Sequence, residues 1–250
     1  MSILMIACLL FSFGSFFGWF LELFYRRIFS SKRWINPGFL VGPCLPLYGF
    51  GVTILFLISY FLKFDEWFNI PPYLNVIIVI AIMSITMTLI EYMAGIIFIK
   101  GMGIKLWDYS DRWGNIQGII CPLFSLLWTI AAASFYFLLR PVCENLINWF
   151  GLNAYENIWL PFFLGSFYGV LFVDLCYSFK ITHRIKEFAK ENNIVVKFEQ
   201  FKLEIREYQE KAKEKISYLF PLKTNINIKE ILSKYMQKVK DKFSKVNKDE

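Results

Sequence analysis

Long hydrophobic runs separated by short polar segments occupy the first 179 residues of the chain. A helix needs about 20 mostly apolar residues to cross a bilayer. The pattern therefore predicts an all-α, polytopic membrane protein with five transmembrane helices, near residues 3–25, 46–62, 73–99, 116–139 and 158–179. The first run has no basic segment before it and no small-residue cleavage site after it, so we expect a retained helix and not a signal peptide.

Lysines and arginines between these runs predict the orientation of the protein. Seven of them lie in the loops after the first and third runs, whereas the alternate loops hold only Lys63 and Arg140. Cytoplasmic loops carry the excess of basic residues in membrane proteins. We therefore predict a multi-pass protein of the cell membrane, with its N-terminus outside and its C-terminus inside.

Composition divides the chain into two parts. Overall, 56% of the residues are hydrophobic, 19% are charged and the mean hydropathy is +0.46, which excludes an ordinary soluble domain. Residues 1–179 hold nine basic and nine acidic residues, and residues 180–250 hold eighteen basic and eleven acidic ones. We predict a five-helix transmembrane domain over 1–179 and a basic, helical cytoplasmic tail over 180–250.

The tail carries two apolar stripes with helical spacing. The first comprises Phe198, Phe201, Ile205, Tyr208, Ala212 and Ile216, and the second comprises Ile228, Ile231, Tyr235, Val239, Phe243 and Val246. Pro221 separates the stripes, and Asn227 with Glu230 resembles a capping box. The two helices could pack on each other as a hairpin, or they could bind anionic lipid or a cytoplasmic protein. Nucleic acid is not an expected partner, because eleven acids are interleaved with the basic residues.

Three of the hydrophobic runs each contain one acid on the predicted cytoplasmic side: Glu22, Glu91 and Asp174. Ionisable residues in a bilayer are costly and usually face a bundle interior or a cavity. Glu22 precedes Arg26 by one turn, which favours an ion pair. Glu91 has no basic residue within four positions, so it is either a functional acid or a structural contact between helices. Asp174 could form a helix-packing hydrogen bond, or the three acids could line one polar chamber open to the cytoplasm.

Two polar segments on the same side could contribute to such a chamber. Residues 37–49 hold three prolines and three glycines, which oppose a regular helix and predict either a broken or re-entrant entry to the second helix or a simple surface loop. In the loop that follows the third run, Asp108 could cap a turn and Asn115 could cap the fourth helix.

The candidate residues follow from these segments. Candidates for substrate binding are Glu22, Glu91, Tyr92, Trp107, Asp108, Tyr109, Asn115 and Gln117, and candidates for a structural or gating role are Gly38, Gly42, Pro43, Pro46, Tyr48, Gly49 and Asp174. We expect no metal site and no cofactor, because the five cysteines form no CxxC pair and His183 is the sole histidine. No nucleophile and base pair is recognisable, so we name no catalytic residue and favour a protein that is not an enzyme.

Several short motifs occur together within roughly residues 14–130. They are Gly18-Trp19 with Glu22, the Gly-Phe-Leu-x-Gly-Pro-x-x-Pro-x-Tyr-Gly run at 38–49, Glu91-Tyr92 with Gly95, Trp107-Asp108-Tyr109-Ser110, and Asn115 with Gly118. In this combination the chain resembles the bacterial family of putative ABC transporter permeases of type IV (CmpB-type). In that family a basic residue often follows the glycine that matches Gly118, whereas Ile119 stands here. The resemblance implies a transport-related subunit of the bacterial cytoplasmic membrane, and the tail lies outside it.

The chain has no G-x-x-x-x-G-K-[ST] loop to hold a nucleotide, so ATP-driven transport would need a separate ATPase subunit. Five spans are few for a complete path, so a homo-oligomer is the other expected partnership. Two further functions stay open. One is an intramembrane enzyme that acts on a lipid or lipid-linked substrate with Glu91 and Asp108 as general acid and base. The other is a non-catalytic scaffold or sensor that uses its basic tail.

Overall fold

The structure, a computed structural model, describes residues 3–30, 32–152, 159–192, 194–211 and 230–238. Five of its helices are long and apolar enough to cross a membrane: Leu4–Phe29, Pro46–Phe68, Pro72–Met102, Pro122–Trp149 and Trp159–Glu191. The predicted all-α class with five spans is therefore confirmed.

Short interruptions divide the spans into the following elements. Helix α1 is Ile3–Phe29, α2 is Pro46–Phe61, α3 is Phe64–Phe68, α4 is Pro72–Met102, α5 is Pro122–Ser134, α6 is Arg140–Leu152, α7 is Trp159–Glu191 and α8 is Phe198–Lys211. A π-helical turn, Phe135–Leu139, joins α5 to α6, and residues 230–238 are also helical. Strands β1 (Ile104–Lys105) and β2 (Val196–Lys197) pair in parallel.

The fourth span begins later than the sequence predicts. It starts at Pro122 and not near residue 116, because Gln117 and Gly118 have φ angles of 55° and 65°, which no right-handed helix contains. Residues 116 and 120 instead form an isolated antiparallel bridge. Proline suits the first turn of α2 and α5, where a backbone N–H would have no helical partner.

The chain forms two compact units. Unit 1 comprises Met1–Phe20, Cys44–Gly95 and Asp108–Phe172, and unit 2 comprises Leu21–Pro43, Ile96–Trp107 and Val173–Glu250. Unit 1 therefore holds most of the apolar helices. Unit 2 holds the part of the glycine- and proline-rich segment up to Pro43, the β1 region and the described part of the tail.

Unit 1 is organised around one face of α4. The buried residues of this helix recur every four positions: Asn75, Val79, Met83, Met87, Glu91 and Gly95. The apolar members pack with Leu10, Leu55, Phe56, Ala132 and Phe135. Helices α1 and α2 approach closely at Gly18, where a Cβ atom would lie 2.2 Å from the Cβ of Tyr48. Small residues allow such close contact between membrane helices.

Unit 2 buries the described part of the tail against the C-terminal part of α7 and the β1 region. Its core contains Ile104, Ile181, Ile185, Val196, Phe198, Phe201, Ile205, Ile231, Leu232 and Tyr235. Members of both predicted tail stripes are therefore buried here, and they contact α7 and β1 as well as each other. The predicted positions Ala212, Ile216, Pro221, Asn227, Ile228, Val239, Phe243 and Val246 lie outside the described residues.

Candidate functional site

Glu91 lies on the buried face of α4 and is only 4% exposed. Its two carboxylate oxygens accept hydrogen bonds from different parts of unit 1. The Tyr109 hydroxyl donates to Oε1 at 3.1 Å, and the Trp128 indole Nε1 donates to Oε2 at 2.9 Å. Glu91 therefore joins α4 to the loop that precedes α5 and to α5 itself.

The loop around Tyr109 is braced by its own polar groups. The Tyr109 backbone N–H donates to the carbonyl of Gly118 at 2.9 Å, and its ring stacks on Phe124 with centroids 4.1 Å apart and planes 11° apart. Asn115 Nδ2 donates to the carbonyls of Ser110 (3.1 Å) and Arg112 (2.8 Å). These contacts fix the position from which the Tyr109 hydroxyl reaches Glu91.

Two of the predicted loop residues have roles that differ from each other. Asp108 caps a turn, as predicted, by accepting hydrogen bonds from the Ser110 N–H at 3.2 Å and the Ser110 hydroxyl at 2.5 Å. The prediction that Asn115 caps the fourth helix is wrong, because that helix begins at Pro122 and the Asn115 side chain instead accepts from the Gly118 N–H at 2.9 Å. Tyr109, next to Asp108, is the loop residue that contacts Glu91.

Trp128 also belongs to this site, although it is not among the candidate residues that the sequence predicts. Its indole donates to Glu91, and its ring lies 6.0 Å from the ring of Tyr48 at the start of α2. The available signal was its position well inside a hydrophobic run. A buried tryptophan needs an acceptor for its N–H, whereas an interfacial one is hydrated.

The other residues of unit 1 that the sequence singles out lie in different surroundings. Tyr92 follows Glu91 on α4 and is half-buried, while Gln117 is exposed at a positive φ. Ile119 is buried against Gly95, where a Cβ atom would lie 2.3 Å from its Cγ2. Gly95 and Ile119 thus form a close packing contact between α4 and the loop that precedes α5. Gly49 approaches Ser15 in the same way, with a Cβ position 2.1 Å from the serine Oγ.

In unit 2, Asp174 holds the backbone of the glycine- and proline-rich loop. Its Oδ1 accepts from the Val41 N–H at 3.1 Å, and its Oδ2 accepts from the Gly42 N–H at 2.8 Å. A Cβ atom at residue 42 would lie 2.7 Å from Oδ2, so a larger residue would displace the carboxylate from its bond to the residue 42 N–H. The alternative of a bond between packed helices is wrong, because Asp174 binds main-chain groups of the loop.

This loop is irregular from residue 32 to 45, and α2 begins at Pro46 directly after it. Leu40 is fully buried, and Phe39 packs against Phe98 and Phe179, so the loop is not a simple surface loop. Gly38 adopts a φ of 79°, a backbone angle that favours glycine. Pro43 ends the part of the loop that belongs to unit 2.

Two side chains absent from the sequence-based candidates satisfy the carbonyls of this loop. Asn36 Nδ2 donates to the carbonyls of Leu40 at 3.0 Å and Val41 at 2.8 Å. Lys202, which is 3% exposed, donates from Nζ to the carbonyls of Asn36 at 2.9 Å and Gly38 at 2.6 Å. The sequence gives no signal for Lys202, because lysines on an amphipathic helix usually face solvent.

Arg26 links α1 to α8 within unit 2. Its Nε pairs with Glu22 Oε1 at 3.0 Å, as the sequence predicts, and its Nη1 pairs with Glu199 Oε2 at 2.8 Å. Glu22, Asp174 and Trp107 belong to unit 2 and Glu91 belongs to unit 1. The chamber that would combine the three acids therefore stays a prediction.

Within the described parts of the chain, no group of three or more histidine, cysteine, aspartate and glutamate side chains could hold a metal ion. The chemistry available at Glu91 is that of a buried carboxyl group that accepts hydrogen bonds from the neutral donors Tyr109 and Trp128. It can accept, hold and release a proton, or bind a cation.

Comparisons with known proteins place the chain in a family. A family model described as "Putative ABC-transporter type IV" matches residues 9–179, which include every contact of Glu91 and Asp174 described above. No match was found among curated proteins or among solved structures. The match covers more than half of the sequence and agrees with the five membrane-spanning helices. The chain therefore belongs to the ABC-transporter type IV family that this model defines.

Proposed function

We propose that the protein is a membrane subunit of a transporter and that Glu91 exchanges a proton during its transport cycle. The observation that carries the proposal is the pair of hydrogen bonds that the buried Glu91 carboxyl receives from Tyr109 and Trp128. Family membership supports transport, and the geometry supports the choice of residue.

The surroundings of Glu91 suit both of its protonation states. As a carboxylate it accepts from the Tyr109 hydroxyl and from the Trp128 indole. As a carboxylic acid it could donate to the Tyr109 oxygen after the tyrosine hydroxyl rotates, while the Trp128 bond is kept, because a phenol can donate or accept. Proton gain or loss therefore needs no rearrangement of the helices.

The effect of protonating Glu91 on its hydrogen bonds would also reach other parts of unit 1. Tyr109 is fixed in its loop by Gly118 and Phe124, and Trp128 contacts Tyr48 of α2. A change in the strength of either hydrogen bond at Glu91 thus acts on α5, on the preceding loop and on α2. This is the physical link by which a proton could bias a conformational change.

Charge movement in proteoliposomes on a solid-supported membrane tests the proposal. A jump in pH should produce a transient current with the wild-type chain, because proton binding displaces charge even when turnover needs a separate ATPase. Glu91→Gln should abolish the current, since an amide is isosteric but does not titrate. Glu66→Gln is the matched control, because Glu66 lies in α3 with its side chain 61% exposed and paired with Lys63.

Equal currents in the wild type and in Glu91→Gln, or a wild-type current no larger than that of empty liposomes, would overturn the proposal.

The ATPase partner is tested separately. Because the chain lacks a nucleotide-binding loop, we expect an ATP-hydrolysing subunit to copurify with it and to be lost when the membrane domain is unfolded.

A further inference from the structure

The loop that Asp174 holds in unit 2 also receives the amine group of Lys202. We infer that the backbone carbonyls of Asn36 and Gly38 form an amine-binding cradle, and that Lys202 is its tethered, releasable ligand. In this arrangement α8 is a latch that closes on the loop leading to α2. The inference concerns the tail and does not depend on the proton exchange proposed for Glu91.

The contacts of Lys202 have the geometry of a specific site for an amine that donates hydrogen bonds. Its Nζ lies 2.9 Å from the Asn36 carbonyl oxygen and 2.6 Å from the Gly38 carbonyl oxygen. It also lies 4.6 Å from the centroid of the Phe198 ring, within the range of a cation–π contact. Two carbonyl oxygens and one aromatic face therefore surround a nearly buried amine group.

The loop is prepared for this ligand by groups of complementary polarity. The Asp174 carboxylate accepts hydrogen bonds from the N–H groups of Val41 and Gly42. The Asn36 amide donates hydrogen bonds to the carbonyls of Leu40 and Val41. These bonds hold the loop backbone on both sides of the bend at residues 38–42. The carbonyls of residues 36 and 38 are then positioned to receive Nζ.

A purely structural role would be served more cheaply by an apolar side chain, because burying a charge carries a desolvation cost. A lysine is useful where the contact must form and release. The charged groups that act on it are Arg26 of α1 and Glu199 of α8, which pair with each other. Burial and, next, the charge of Arg26 lower the pKa of Lys202 to about 7, while Glu199 opposes the shift. Docking therefore favours the uncharged amine, and a falling pH, which protonates the side chain, favours release of α8.

Helix α8 has further contacts that would follow the same movement. Arg206 Nη1 donates to the Trp34 carbonyl at 3.1 Å, and Ser30 Oγ donates to Glu199 at 3.2 Å. The family model ends at residue 179, so α8 lies beyond it. The latch thus places a segment outside the matched region on a loop inside it.

Chemical rescue of Lys202→Ala in the full chain, in lipid nanodiscs, tests the inference. Alanine keeps the Cβ atom and removes a fragment the size of n-propylammonium. We expect amide hydrogen exchange in residues 36–43 to accelerate by about tenfold or more, the change expected when a hydrogen-bond donor is lost. Added n-propylammonium, in equilibrium with its free amine, should restore protection, and more strongly as the pH rises. Propan-1-ol has a similar shape but a single O–H donor for two carbonyls, so it should restore less.

Two further variants keep the result interpretable. Lys202→Met fills the space with a side chain of similar length, so it should keep the helical content, expose the loop and show no response to n-propylammonium. Lys190→Ala, at an exposed lysine of α7, should leave exchange unchanged. Wild-type protection in Lys202→Met, or a folded Lys202→Ala that n-propylammonium does not protect, would overturn the inference.

Discussion

Replacement of Tyr109 by phenylalanine removes one of the hydrogen bonds that hold the Glu91 carboxylate. The tyrosine hydroxyl donates to Glu91 at 3.1 Å, and its ring stacks on Phe124 at 4.1 Å. Phenylalanine keeps that stacking, so Tyr109→Phe isolates the contribution of a single O–H group. The same reasoning distinguishes Glu91→Ala, which removes the acceptor for both donors, from Glu91→Gln, which can still accept from Trp128.

The magnitudes follow from the type and burial of these bonds. Hydrogen bonds to charged groups contribute about 1.5–3 kcal/mol, whereas bonds between membrane helices average about 0.6 and reach about 1.7 kcal/mol. We expect Tyr109→Phe to lower the free energy of unfolding by about 1–2 kcal/mol. Glu91→Ala should cost about 2–4 kcal/mol, since it leaves two donors without their acceptor. Glu91→Gln should cost less than about 1 kcal/mol.

A double-mutant cycle measures the interaction directly. Unfolding of the single variants Glu91→Ala and Tyr109→Phe and of the double variant is followed by circular dichroism in mixed micelles titrated with a denaturing detergent. We expect a coupling energy of about 1 kcal/mol, because the second substitution removes a bond that the first has already broken. Additivity within about 0.3–0.5 kcal/mol would refute the contact between the two residues.

Three further results are expected. Gly42→Ala should destabilise the protein by about 1–3 kcal/mol in the same detergent titration, because its Cβ, 2.7 Å from Oδ2, would displace the Asp174 carboxylate. Gly165→Ala, within α7 and with nothing within 4 Å of the new Cβ, should not destabilise it. Docking of α8 should weaken about tenfold per pH unit as the pH falls from about 10 to about 7, because the undocked Lys202 has its ordinary pKa of 10.5 and the docked one has about 7. The ratio of loop exchange rates in the wild type and in Lys202→Met checks this. A ratio independent of pH would contradict it. Asp65→Cys should react with a membrane-impermeant maleimide added outside intact cells, and labelling only after lysis would reverse the predicted orientation.

The sequence pattern was sufficient for the spans because a bilayer imposes length and hydrophobicity on any helix that crosses it. It was also sufficient for the Glu22 and Arg26 pair, since residues four apart on a helix are neighbours in every helix. The start of the fourth span was placed wrongly, because hydrophobicity at 116–121 does not reveal that Gln117 and Gly118 adopt positive φ angles.

What only the tertiary structure decided is which groups meet. Sequence patterning alone marked Glu91 and Asp174 as costly acids that need partners, but their partners are distant along the chain: Trp128 for one and the N–H groups of Val41 and Gly42 for the other. Lys202 shows the limit most clearly. A lysine on an amphipathic helix has the same local signature whether it faces water or a carbonyl cradle, and the difference arises only when the helix packs. Local spacing determines contacts within an element, whereas contacts between distant segments depend on how the folded chain brings them together.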